Sequence, residues 1–140
     1  MSQNMALRRV RMFDRNPTAS RAARIFVTEQ LAHLGATPDV IGDFCLAVSE
    51  LTANAVQYGT GDEVEVAVAA DAEFWELEVS SLSADPDAIS PPVQWVVSSP
   101  EETTGRGLGI VRSLMDHTDI RREGARVAVI ARRWRRRRAG

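Results

Sequence analysis

Between Thr37-Pro38 and Gly59 the apolar residues step by three and four, and this one stretch narrows the folds open to the chain. Ile41, Phe44, Val48, Leu51, Ala55 and Tyr58 make a helical stripe that can cover a sheet. Threonine before proline gives an N-cap and a first helical residue, and the glycine gives a stop. A second stripe, Asp43, Ala47, Glu50, Asn54 and Gln57, shares the neighbouring face and carries the polar groups. A helix of this kind needs a second layer to pack on.

The flanking segments supply that layer. Val64, Val66 and Val68 alternate with Glu63, Glu65 and Ala67; after a turn at Asp71-Ala72, Trp75, Leu77 and Val79 alternate with Phe74, Glu76 and Glu78. The period of two predicts a hairpin with one face on the core and an acidic face toward water. Like charges placed opposite one another on that outer face are costly. Residues 5–13 read as an edge strand. Asn16-Pro17 opens an earlier helix that runs to about Leu34, with Ala23, Val27, Leu31 and Leu34 inward, Ile25 and Phe26 widening the stripe, and Gly35 as the stop. Gly105-Arg106-Gly107-Leu108-Gly109 opens a third helix with Ile110, Leu114 and Met115 inward and His117 near its end. Thr118 to Arg122 and Arg126 to Trp134 complete the strands. The expected fold is α+β: a two-layer sandwich with a mixed, mostly antiparallel sheet and the helices on one face.

At 140 residues the chain reads as a single domain, 1–140. Folding at this size buries roughly 68% of the exposable surface, so one ordinary core suffices. The lone Cys45 excludes an internal disulfide and a cysteine zinc cluster. No run of about 18 apolar residues occurs, and arginines near the N-terminus have no apolar stretch behind them. A cytoplasmic protein without a membrane segment is expected.

The net charge of −2 hides a segregation: residues 1–24 carry six Arg and one Asp, 25–105 carry fifteen acids and no base, and 106–140 carry eleven Arg and three acids. Every base is arginine, so lysine-dependent phosphate contacts, Schiff bases and catalytic ammonium groups are excluded.

Two clusters can carry chemistry. The glycines of 105–109 leave backbone N–H groups open at a helix N-terminus, where an anion is favoured, although such clusters also serve as hinges and caps. Glu50 and Asn54 are four apart and project from one face. They suit a general base and an oxygen ligand for Mg²⁺, or equally a solvated helix face.

Together the stretch LAVSELTANAVQYG (46–59), the hairpin, the Pro-rich loop and GRGLGIVRSL (105–114) resemble the histidine-kinase-like ATPase superfamily, the Bergerat or GHKL fold. More narrowly they resemble the anti-sigma-factor serine kinases of bacterial partner switching, over roughly residues 10–134. The resemblance implies ATP held between the second helix and a lid at about 82–104. Glu50 would be the general base toward the attacking hydroxyl and Asn54 the ligand of Mg²⁺. Gly105, Gly107 and Gly109, with the backbone of Arg106 and Leu108, would wrap the phosphates. Arg106 would either lend charge to the γ-phosphate or sit on the surface. The implied partners are a sigma factor and an anti-anti-sigma protein, with Arg21 and Arg24 as contacts, and a homodimer.

One family element is missing. After the V-x-V strand these proteins show D-x-G, whose aspartate accepts from the adenine amino group; here Ser81 stands at the aspartate and Ser83 at the glycine. Loss of a charge-assisted hydrogen bond costs about 1.5–3 kcal/mol, on the order of 10- to 150-fold in affinity. Asp85 and Asp87 lie later, inside the loop, and are not taken as substitutes. The metal and phosphate side therefore reads as intact and the adenine side as degenerate. The alternative to a kinase is a silent adaptor of the same fold that binds ATP weakly or not at all.

Other features read plainly. The run Arg132 to Arg138, within a basic tail 132–140, is taken as solvated, and no nucleic-acid role is expected of it. His33 and His117 are surface or cap residues. Trp75 is core, and Trp95 in the loop is a partner anchor or a lid plug.

Overall fold

The computed structural model describes residues 7–89 and 106–135. Strand β1 (Leu7–Asp14) leads to helices α1 (Ala19–His33) and α2 (Pro38–Tyr58), then to strands β2 (Gly59–Ala70) and β3 (Phe74–Ser83). A 3₁₀ turn at Pro86–Ala88, helix α3 (Arg106–Leu114) and strands β4 (His117–Glu123) and β5 (Arg126–Trp134) follow. The strands form one sheet in the order β1-β2-β3-β5-β4. Every pairing is antiparallel, so the expected mixed character is absent among the described residues. Gly105, Trp95 and the rest of the expected lid from residue 90 onward lie outside them, as does the tail beyond Arg135.

The helices and one sheet face share a continuous core. Phe44, Val48 and Leu51 of α2 meet Val64, Val66 and Val68 of β2, Leu77 and Val79 of β3, and Val129 and Ala131 of β5. Thr37 caps α2 by accepting from the Val40 N–H at 3.4 Å. The buried Thr52 hydroxyl donates to Val48 O at 2.6 Å and meets Ser20 Oγ at 2.8 Å, fixing α1 against α2. No helix among the described residues is long and apolar enough to cross a membrane.

Several local expectations change. Asn16 does not cap α1: its Oδ1 accepts from the Thr18 N–H at 2.9 Å, closing a turn before the helix begins at Ala19. Ile25 is 53% exposed, because the α1 surface that meets α2 and the sheet runs through Ala23, Phe26, Val27 and Leu31. In α3 the inward residues are Leu108 and Val111, with Leu114 packed at the core's margin and Met115 inward just past the helix end, rather than Ile110. His117 begins β4. Gly59 ends α2 in an extended conformation, φ −78° and ψ 170°, so no left-handed cap is needed there. A Cβ at Gly59 would collide with Ala55 O and come within 3.2 Å of Leu82 O, so the close approach of two carbonyls requires glycine.

The helix-free face is the larger surprise. The alternation places Glu76 and Glu78 in water, yet each is only 8% exposed. Arg132 lies opposite Glu76 in register and donates to it at 2.8 Å. Arg8 of β1 reaches Glu78 at 3.4 Å and Arg121 of β4 reaches it at 2.8 Å. Both guanidinium groups cross an intervening strand, over Ala67 and Ala69 of β2 on one side and Ala128 and Ile130 of β5 on the other. Sheet order thus places the acidic strand beneath arginines from both basic segments, and opposite charges replace the expected repulsion.

The same pairing corrects the solvated-tail reading for its first residues. Arg133 pairs with Asp43 of α2 and approaches Asp116 Oδ2 at 3.6 Å. Arg135 donates to Asp71 O at 2.6 Å and lies 4.8 Å from the Trp75 ring centre.

Candidate functional site

The second stripe of α2 faces α3, which packs against it. At its start Asp43 is tied to β5 through Arg133, which also donates to Leu114 O at the end of α3 at 3.3 Å. Arg133 thereby ties both helices to the sheet. Ala47, fully buried, lets them approach.

One turn on, Glu50 is half-buried and its carboxylate lies against Gly107 in the first turn of α3. A Cβ at Gly107 would overlap Glu50 Oε1 and come within 3.3 Å of Cδ and 3.4 Å of Cβ. The acid and the glycine segment, separated by more than fifty residues of chain, meet directly. A carboxylate at a helix N-terminus is also where the helix dipole favours negative charge.

A further turn along, Asn54 opens onto a cavity of about 380 Å³. That volume lies within the range of small-molecule sites. Leu51, Ala55, Tyr58 and Gly59 form its α2 side; Val79, Ser81 and Ser83 of β3 with Val127 and Val129 of β5 form its floor. Leu108 of α3 and Ala84, Asp85, Ala88 and Ile89, which follow β3, complete the lining. The walls are mostly apolar, and the polar side chains among the described lining residues are few: Asn54, Tyr58, Ser81, Ser83 and Asp85.

Of the residues singled out in the sequence, Asn54, Ser81 and Leu108 line this cavity, and Glu50 and Gly107 meet beside it. Leu108 and Gly109 are buried, and of the two only Leu108 lines the cavity. The Leu108 side chain belongs to the core and the cavity wall. Arg106 opens α3, and Gly107 and Gly109 lie inside the helix rather than in a loop before it. Ser81 is 9% exposed and its hydroxyl lies 3.3 Å from the place a Gly59 Cβ would occupy. Ser83 Oγ accepts from the Asp85 N–H at 3.1 Å, which turns the chain so that Asp85 reaches the lining. Asp87 does not; it points away toward Arg122 at 3.8 Å.

Sequence reasoning missed Arg15. Its Nη1 donates to Val56 O at 2.7 Å and its Nε to Gly61 O at 2.8 Å, clamping the last turn of α2 beside the cavity. A lone arginine between a strand and a turn carries no signal of that role. No group of three or more His, Cys, Asp or Glu side chains is arranged to hold a metal among the described residues.

The family model for the histidine kinase-like ATPase domain matches residues 13–133. This chain belongs to the histidine kinase-like ATPase family. Its fold is shared by a part of the chain that comprises the RsbU and RsbW domains of Rv1364c from Mycobacterium tuberculosis, with a TM-score of 0.68 at 21% identity over 92% of this chain and 33% of that one. It is shared also by a chain of the SiaB-SiaC complex from Pseudomonas aeruginosa, with a TM-score of 0.60 at 16% identity over 94% and 91% of the two chains. This histidine kinase-like ATPase domain spans about a third of the length of the Mycobacterium chain. No curated protein matches it.

Proposed function

We propose that this chain is an anti-sigma-type regulator that binds ATP in the cavity between α2 and α3 and acts as a serine kinase on an anti-anti-sigma partner. The observation that carries the reading is the meeting of Glu50 with Gly107 beside the cavity onto which Asn54 opens. Family membership and two structural neighbours whose names include RsbW and SiaB support it. The exposed Arg21 and Arg24 on α1 suit contacts with an acidic partner surface, whether antagonist or sigma factor.

The residues fit the group they would hold. Backbone N–H groups in the first turn of α3 suit phosphate oxygens, and Gly107 keeps that turn free of a side chain. The Asn54 carboxamide is a hard oxygen donor of the kind Mg²⁺ takes; with no carboxylate cluster among the described residues, the ion would take its remaining ligands from phosphate and water. ATP would supply the phosphoryl group. Glu50 would accept the proton of the attacking serine hydroxyl, and the apolar cavity wall would exclude water from the base.

A silent adaptor is the second reading, favoured by the neutral Ser81 on the cavity floor. Titration of Mg·ATP, followed by heat or by NMR shifts, separates the two. Weak binding in the parent, tightening in Ser81→Asp and loss in Asn54→Ala support a live site. Unchanged binding in Asn54→Ala would remove Asn54 from the site. In a phosphotransfer assay with the partner, Glu50→Ala should abolish turnover while largely sparing binding.

A further inference from the structure

We infer that the nucleotide site accepts purines with a 6-oxo group as readily as those with a 6-amino group, because a serine hydroxyl is the deep hydrogen-bonding group on the cavity floor. This rests on the nucleotide reading above.

Ser81 points from β3 into the cavity and is 9% exposed, with Val79, Val127 and Val129 around it on the floor. These apolar neighbours contact a base through dispersion and are indifferent to its edge. Ser83 is less buried than Ser81, and its Oγ is turned to the Asp85 N–H, from which it accepts. Asp85 itself is exposed at the rim, where water and salt screen it. Among the described residues that line the cavity, Asn54 is assigned to the metal and Tyr58 is 51% exposed, so reading of the purine edge falls to Ser81.

A carboxylate at this position only accepts hydrogen bonds, so it would pair with a 6-amino donor and repel a 6-oxo acceptor. A hydroxyl has one donor and two lone pairs, and its hydrogen rotates to suit the partner. It accepts from the amino group of adenine and donates equally well to the oxygen of hypoxanthine. Replacing aspartate by serine then costs affinity and removes selectivity together.

The test is NMR titration of the full chain, with Mg²⁺ present, by ATP and by ITP, which differ at the purine 6-position and N1. The parent should bind the two within about 3-fold of each other. Ser81→Asp should tighten ATP and weaken ITP, separating them by about 10-fold or more. Ser81→Ala, which keeps the strand's packing, should weaken both to a similar extent. A parent that prefers ATP by about 10-fold, or a Ser81→Ala variant that loses ATP alone, would overturn the inference and leave the nucleotide site standing. Absence of binding by either nucleotide to the folded parent and to Ser81→Asp would overturn the nucleotide reading itself.

Discussion

Replacing Arg15 by alanine should loosen the end of the helix that carries the site. The guanidinium donates to Val56 O at 2.7 Å and to Gly61 O at 2.8 Å, while the Arg15 N–H donates to Asp62 O at 2.8 Å. Val56 O is among the last four carbonyls of α2, which have no partner within the helix. A cation there also meets the negative end of the helix dipole. Hydrogen bonds to charged groups contribute about 1.5–3 kcal/mol when shielded and less when exposed. The Val56 contact is partly buried and the Gly61 contact is exposed, so the side chain should be worth about 2 kcal/mol in total. For a chain of this size that lowers Tm by roughly 8 °C. Arg15→Lys keeps the charge but cannot bridge both carbonyls, and should recover about half. Urea unfolding gives the energies, and amide exchange should quicken at Gly59, whose N–H closes α2 on Ala55 O. If both variants unfold within about 0.5 kcal/mol of the parent, the range expected of a featureless surface site, the clamp has no energetic role.

Gly107→Ala should leave the fold within about 1 kcal/mol of the parent, since alanine favours a helix. It should nevertheless displace the Glu50 carboxylate and reduce phosphotransfer as far as Glu50→Ala does; a fully active variant would remove Glu50 from the chemistry. Trp75→Phe should cost under about 1 kcal/mol in a melt, because Trp75 Nε1 is the buried side-chain polar atom without a partner among the described residues. Leu77→Ala, in the same strand and fully buried, should cost about 2–5 kcal/mol. Equal losses for these two would refute the orphan-donor argument. Glu78→Gln should cost about 1–2 kcal/mol, since its carboxylate sits between Arg8 and Arg121. The loss should shrink in molar salt, and insensitivity to salt would count against the paired-charge account.

Much of the architecture was legible because its causes are local. The capping residues Thr37 and Pro38, the stripe of α2 and the alternation in β2 and β3 each express a backbone period within one segment. The ordered pair of Glu50 with Asn54 and the glycines after residue 105 was readable as well. Local signals misjudged elements whose surroundings decide. Ile25 matches the helical stripe but falls where α1 turns to solvent. Asp85 reads as a loop residue too late in the chain to matter, yet the turn at Ser83 brings it onto the cavity.

The sequence by itself determined the elements, their order, and the presence of an acid and an amide one turn apart, because helix and strand periods act over a few residues. It also exposed the division of charge along the chain. Only the tertiary structure decided what that division means. Glu78 meets Arg8 and Arg121, and Glu50 meets Gly107, through sheet order and helix packing that join segments many tens of residues apart. Those neighbours are fixed by burial of a shared core, and no local pattern records which distant side chains the core will bring together.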